Sequence, residues 1–511
     1  MLIHPVVKIF LICFSGFLLS LSAPGYDLWF FAWIFLSPFF IIINISRKIK
    51  EIIFYSFLFG FSYNISYLYW LFSLHPLTWL GFNGFQSFLL SLTALLVVSS
   101  YNALFFVIFA TSITCVRKTL GTTSNKSFLN LLITTFIWLI IFNKLSSSEL
   151  LLGFPWTLVE YSQYKNLFLI QIAEYFGSIS ISFLIVFFNL VLASFLIWLF
   201  TIQKIGGRYI PRNPGQFGAI VVEFSFIIVL ISLSLVFGMF SYRQNQEHFS
   251  NESQSICILQ GNLPIKATRG GSLDIHLARK TYDSLIKNNE SALFIFPEGA
   301  LPTIFNSNLV VQNWLKTIAR TKQSDIISGS YCKKEDVLTN CAVIYSPLKN
   351  EFSSYHKERL VPFGEFAPFS FLLPDCLKTL ANNVIGDGFA KGKQNAPINT
   401  SLGKVGINIC FELIFPTIIR KCSLLEASFL INLSDLSWFS NDLVKQQFLS
   451  FAVLRAIENR RPVIVATNNG VSAFIEPSGK IKSQSLSNTN GVLMDWINPN
   501  KKITFYAKYG W

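Results

Sequence analysis

Apolar residues are unevenly placed along this chain. From its start to about residue 240 they form long runs, and a bilayer span needs roughly 20 such residues. Beyond that point they break into short runs between polar loops. The pattern predicts seven spans, at about 6–22, 28–46, 52–73, 86–114, 128–145, 168–201 and 217–241. Three segments follow from it: a membrane domain over 1–245, a water-soluble domain over 246–497, and a tail over 498–511.

Within the soluble segment the period changes. Short apolar runs bounded by turn residues read as strands at 256–260, 292–296, 325–330, 342–346, 404–410, 428–434, 463–467 and 471–476. Between several of them lie helical patterns, at about 274–288, 308–321, 415–426 and 442–459. In the last, Val444, Phe448, Phe451 and Ala452 recur at helical spacing. Strands alternating with helices predict an α/β domain with a largely buried sheet. No internal repeat or low-complexity linker interrupts it.

The net charge of +14 raises the question of nucleic acid, but its placement answers otherwise. Arg47, Lys48 and Lys50 lie between the second and third spans, Arg117, Lys118 and Lys126 between the fourth and fifth, and Lys204, Arg208 and Arg212 between the sixth and seventh. The alternate connections are nearly free of basic residues: "APGYD" and "HPLTWLGFNG" have none, and the loop after residue 145 has Lys165. Basic loops stay in the cytoplasm, so the N-terminus is inside and an odd number of spans delivers the soluble domain outside. A signal peptide over 1–23 is a rival reading, with His4 and Lys8 ahead of an apolar stretch. Pro24 disfavours cleavage after Ala23, and cleavage would leave the soluble domain outside all the same.

The eight cysteines show no CxxC and no metal-like spacing, and no cofactor or metal is expected. Cys332 and Cys341 flank "KKEDVLTN" and are placed to pair across it; spacing leaves that open. In α/β sheets ligands gather at the carboxyl ends of strands. Glu298 follows "LFIFP", Cys410 closes "KVGINI", and Asn432 to Asp435 follow "SFLI", while Lys357 lies in the loop "YHKERLVPFGEF". A cysteine becomes a nucleophile when a base takes its proton. Glu298 can be that base if burial brings its pKa toward neutrality. Lys357 can stabilise the oxyanion formed when a thiolate adds to a carbonyl. Such a set suits acyl transfer through a thioester. Spacing alone leaves each residue open between this chemistry and a bland role: core thiol, surface lysine, solvated glutamate.

Four stretches in order, "FPEGALP", "YHKERLVPFGEFAPF", "GINICFELIFP" and "RRPVIVATNNGVSAFIEPSGK", resemble the carbon–nitrogen hydrolase (nitrilase) superfamily. More narrowly, with "GFPWTLVEYSQYKN" and "IQIAEYFGSISISFLIVFFN" in the apolar half, the chain resembles the apolipoprotein N-acyltransferases over nearly its whole length. The resemblance implies an αββα sandwich behind a polytopic helical membrane domain. Glu298 then matches the general base, Lys357 the oxyanion-stabilising lysine and Cys410 the nucleophile. Glu365 and Glu412 match supporting glutamates, and Phe411 stands where the family usually has tyrosine. The implied reaction moves an acyl chain from a membrane phospholipid, through a Cys410 thioester, to the N-terminal amine of S-diacylglyceryl-cysteine on an apolipoprotein. The implied location is the bacterial inner membrane, with the catalytic domain on the periplasmic side and no nucleic acid partner.

The sequence departs from the family in three places. It ends at "TFYAKYGW", where the family continues into one last span; it has no histidine near Gln446 or Gln447; and "IKATRGG" stands where a tryptophan is usual. The last two bear on lipid preference. Two other readings compete: a membrane-tethered amidase acting on small molecules, and a seven-span receptor or transporter. A hydrolase needs one anchor at most. Transporters place ionisable residues inside spans, and Glu174, at a span edge, is nearly the only one expected here.

Overall fold

The structure is a computed structural model that describes residues 4–120, 127–200, 203–205, 208–210, 214–247, 253–268, 274–334, 336–368, 388–393 and 396–510. Lys126, Arg212, Cys376 and the glycines of "IKATRGG" lie outside the described residues. The chain divides into two compact units, one of residues 1–72 and 88–240, the other of 73–87 and 241–511.

The first unit is helical. Its helices are α1 (Pro5–Ser20), α2 (Ser37–Ile45), α3 (Ile49–Tyr67), α4 (Gly84–Leu120), α5 (Ser127–Leu139, continued by a π-helical turn to Leu145), α6 (Ile179–Phe200) and α7 (Pro214–Gln244). Among the described residues four stretches, 84–118, 127–145, 179–200 and 215–244, are long and apolar enough to cross a membrane; α1 and the stretch 29–45 are shorter apolar helices. The expected spans are therefore corrected in two places. The stretch 28–46 is a 3₁₀ turn (Trp29–Trp33) followed by α2, with Pro38 in the first helical turn where its missing N–H costs nothing. The stretch 168–201 becomes a long helix only at Ile179, because Gly177 sits at φ +74 and breaks the short helix before it. Glu174 lies in that short helix. The carboxylate inside a span is Glu223, buried in α7, which accepts a hydrogen bond from the Ser127 hydroxyl at 2.6 Å.

The second unit holds two six-stranded sheets. Its strands are β1 (Gln254–Gln260), β2 (Leu293–Ile304), β3 (Asp325–Lys334), β4 (Val337–Ser346), β5 (Glu351–His356), β6 (Ile398–Thr400), β7 (Gly403–Ile409), β8 (Phe429–Ser434), β9 (Val463–Thr467), β10 (Ala473–Ile475), β11 (Ile481–Gln484) and β12 (Gly491–Ile497). One sheet has the order β12-β1-β2-β3-β4-β5 and the other β11-β10-β9-β8-β7-β6. In each, three adjacent strands run parallel (β1, β2, β3 and β7, β8, β9) and the flanking pairs are antiparallel.

The sheets face each other across a buried apolar layer that includes Ile258, Ile295, Ile327, Ile407, Ile431 and Ile464. The outer face of the first sheet is covered by α8 (Ile275–Lys287) and α9 (Leu309–Lys322), which bury Tyr282, Ile286, Trp314 and Leu315 against it. Helices α10 (Pro416–Leu424) and α11 (Asp442–Asn459) pack on the second. Four layers result, in the order helix, sheet, sheet, helix. Both faces of each sheet are buried, so its central strands are apolar runs without alternation. β9 and α11 have the expected bounds. In this unit the strands that sequence missed, β5, β6, β11 and β12, are the outermost strands of the two sheets and are half exposed; β5, β6 and β11 are also largely polar.

Cys332 and Cys341 form a disulfide, with Cα atoms 5.9 Å apart. It links β3 to β4 on a diagonal, since the ladder partner of Cys332 is Thr339 and that of Cys341 is Ser330. A crosslink closing so short a loop contributes about 2–3 kcal/mol by restricting the unfolded chain. The double replacement C332S/C341S should lower the thermal midpoint of the detergent-solubilised protein by several degrees; an unchanged midpoint would show that the ladder alone holds the hairpin.

Candidate active site

The site is built at the carboxyl ends of the parallel strands. β2 does not run straight: its register with β3 shifts between Phe296 and Leu301. Glu298 sits in that irregularity and Gly299 follows at φ +66. The bulge presses against Gly329, where an added Cβ would stand 2.4 Å from the Pro297 carbonyl oxygen and 2.5 Å from the Glu298 Cα. Only glycine leaves room for that approach. Bulges re-aim side chains, and here the carboxylate of Glu298 is 1% exposed. Its Oε2 accepts the backbone N–H of Asp435 at 2.9 Å, and its Oε1 accepts from Asn340 Nδ2 at 2.7 Å and from Lys357 Nζ at 3.4 Å.

Lys357 is the residue after β5. Its backbone N–H donates to the Asn340 carbonyl at 2.9 Å, and its own carbonyl accepts from Gly392 at 2.7 Å. The ammonium, fully buried, lies 2.9 Å from Glu365 Oε1. Glu365 Oε2 accepts the N–H of Val361 at 2.9 Å, and its Oε1 also receives Asn340 Nδ2 at 2.9 Å. One amide thus joins two carboxylates around one lysine. A buried ammonium without such partners would cost several kcal/mol in desolvation.

Cys410 comes immediately after β7 and opens a 3₁₀ turn, Cys410–Ile414. Its φ is +50, a left-handed conformation uncommon for a side chain of its size. The turn ends the strand sharply and leaves the thiol half-buried. Its carbonyl accepts from Asn432 Nδ2 at 3.2 Å, and the same amide donates to Asn408 Oδ1 at 2.6 Å. Burial pushes the Cys257 and Cys422 thiols up to about 12, which makes both poor nucleophiles at neutral pH.

Glu412 fastens this turn to the lysine loop. Its Oε1 accepts the N–H groups of Glu358 (2.6 Å) and Arg359 (3.1 Å); its Oε2 accepts the N–H of Ile409 (2.6 Å) and the Tyr355 hydroxyl (2.8 Å). Burial pushes its carboxyl up to about 7, against the opposing pull of these bonds and of Lys357. Phe411 is buried and packs edge-on against Phe415, with centroids 5.2 Å apart.

The residues singled out from sequence are therefore linked. Glu298, Lys357 and Glu365 share direct contacts. Cys410 joins them indirectly, through Asn432 on β8, the strand that precedes Asp435, and through Glu412 beside the lysine loop. Sequence reasoning missed Asn340, Tyr355 and Gly329. A polar residue inside the strand "VLTNCAVIYS" is the one available signal, because asparagine is depleted in strands. Gln447 is buried in α11. Chemically, the site offers a thiol, a buried carboxylate able to exchange a proton, and a fixed cation for a developing oxyanion.

A helix–sheet–sheet–helix sandwich carrying glutamate, lysine and cysteine at its strand ends defines a carbon–nitrogen hydrolase fold. Residues 271–501 match the carbon-nitrogen hydrolase family, and residues 15–191 match the apolipoprotein N-acyltransferase N-terminal domain. The chain is 28% identical over 508 residues to an apolipoprotein N-acyltransferase of Geobacter metallireducens, covering 97% of this chain and 90% of that one. It is 27% identical over 522 residues to that of Wigglesworthia glossinidia brevipalpis, covering 99% and 95%. Among solved structures it is similar to a CN-hydrolase superfamily protein of Xanthomonas campestris, at 17% identity and a TM-score of 0.37, covering 48% of this chain and 90% of that one. The chain is thus similar over nearly its whole length to the apolipoprotein N-acyltransferases, a membrane-protein family, and is an N-acyltransferase.

Asn340 gives the sharpest local test. Replacing it with leucine removes both amide donors from a buried pair of carboxylates, at about 1.5–3 kcal/mol per charged hydrogen bond. Acyl transfer by N340L should fall at least tenfold in kcat/KM in a variant that still folds. Wild-type kcat/KM would show that the bridge is not needed.

Proposed function

We propose that Cys410 carries the acyl group. Glu298 takes the thiol proton as the thiolate attacks the ester carbonyl of a membrane phospholipid. Lys357 stabilises the tetrahedral oxyanion, which collapses to a Cys410 thioester; the lysophospholipid leaves as the alcohol, protonated by Glu298. In the second half, the α-amine of an S-diacylglyceryl-cysteine at an apolipoprotein N-terminus attacks the thioester. Glu298 accepts its proton, an amide forms, and the Cys410 thiol is regenerated. Glu365 and Glu412 act as positioning residues, one holding the lysine and the other holding the lysine loop against the cysteine turn.

The observation that carries this reading is the buried Glu298–Lys357–Glu365 cluster, tied to a cysteine whose backbone is forced into a left-handed turn. The likeness to apolipoprotein N-acyltransferases supports this acyl acceptor, and the apolar helices favour lipid as the donor. The charge pattern of the loops supports a catalytic domain on the periplasmic side of a bacterial inner membrane. The segments 1–245, 246–497 and 498–511 then serve as membrane domain, catalytic domain and tail. A thioester in such a site must be kept from water, or the enzyme becomes a phospholipase.

Incubating the solubilised protein with acyl-labelled phospholipid, without acceptor, should leave hydroxylamine-labile label on wild type and none on Cys410→Ala. Equal label on both would rule out the thioester at this residue.

A further inference from the structure

Asp435, just past the end of β8, is a further buried acid beside Glu298, Glu365 and Glu412, 3% exposed, with no part in the steps above. Its backbone N–H is the donor to Glu298 Oε2 at 2.9 Å. Its side chain folds back on its own turn: Oδ1 accepts the N–H of Ser437 at 3.1 Å and the amide of Asn468 at 3.2 Å. Oδ2 accepts the Thr268 hydroxyl at 3.3 Å. Asn468 is itself fixed, exchanging hydrogen bonds of 2.8 Å with both the N–H and the carbonyl of Leu263. The carboxylate thus anchors the turn that aims its own N–H at the base.

Its charge matters as well as its hydrogen bonds. The charged groups tied to Glu298 are Lys357 and, through the same ammonium and the Asn340 amide, Glu365, both from the segment after β5, and Asp435 from the turn after β8, through its N–H; Cys410 and Glu412, in the turn after β7, connect to this cluster through Asn432 and the lysine loop. Lys357 is the cation among them. A like charge on the very residue whose N–H donates to Glu298 makes the ionised base costlier and keeps it a stronger proton acceptor. The field of Asp435 also reaches Tyr282 on α8, whose phenol is pushed above its ordinary range first by burial and then by this carboxylate.

We propose that Asp435 positions Glu298 and sets the acidic limb of the reaction. The inference rests on the reading of Glu298 and Cys410 given above, so its test needs no lipid. Full-length protein in detergent is treated with iodoacetamide across a range of pH, and alkylation of Cys410 is followed by peptide mass spectrometry. Acylation by labelled phospholipid is measured in parallel. Neutral side chains are supplied two ways, as Asp435→Asn and Asp435→Ser, and the result is read on whichever keeps the wild-type melting temperature.

The acidic limb of Cys410 alkylation should move down by about 0.5–1.5 pH units in the neutral variants. It should stay in place in Thr268→Val, which keeps the charge and removes one donor to it. Glu412→Gln identifies any limb owned by Glu412. An unmoved limb overturns the proposal, whether the rate is unchanged or falls uniformly; a uniform fall would make Asp435 structural only. If wild type alkylates with a limb that D435N moves, yet takes no acyl group, the acyl-enzyme reading fails while the assignment of Asp435 stands.

Discussion

A lysine ammonium held out of water between two carboxylates constrains everything else in the catalytic unit. Lys357 lies 2.9 Å from Glu365 and 3.4 Å from Glu298, and all three are at most 1% exposed. Such a group is tolerated only when its partners are fixed, because removing one leaves an uncompensated charge in a medium that solvates it poorly. The surrounding structure reads as the means of fixing them. β2 bulges against a glycine with no side chain to obstruct it, Asn340 bridges the carboxylates, and Gly392 packs so closely on His356 that an added Cβ would stand 2.0 Å from the His356 carbonyl oxygen.

The sandwich explains why these parts meet. Two sheets, each with three parallel strands at its centre, end their strands at a common edge, where side chains leave the apolar interior. One sheet supplies Glu298, Asn340 and the segment carrying Lys357; the other supplies Cys410 and Asp435. Glu412 and the Asp435 N–H stitch the edges together. Cys410 pays for its place with a left-handed backbone, a strain found where a side chain must be presented at a sharp corner.

Much of this was legible in the sequence. Central strands such as 463–467 are continuous apolar runs, and the helix 442–459 has a clear period, so both stood out by local pattern. The strand-end residues Glu298 and Cys410 stood out because polar groups interrupt those runs. Asn340 and Gly329 were not legible, since each acts through a contact with a residue far away in sequence: Asn340 with Glu298 and Glu365, Gly329 with the bulge at Pro297. The edge strands were missed because half-exposed strands such as 351–356 and 481–484 carry a weak apolar signal. In the helical unit, hydropathy overextended one span through Gly177 and joined two short helices at 28–46. It also passed over Glu223, a single carboxylate inside a long apolar run, partnered by Ser127.

The central claim is that Glu298, Lys357 and Cys410 work as one unit. Residues that act together show strongly non-additive losses, because disabling one already forfeits what the others contribute. The direct measurement is the rate of Cys410 acylation by phospholipid, followed by intact-protein mass spectrometry, in wild type, E298Q, K357M and the E298Q/K357M double variant. The account predicts a double variant no slower than the slower single one. Losses that multiply across the two substitutions would contradict it.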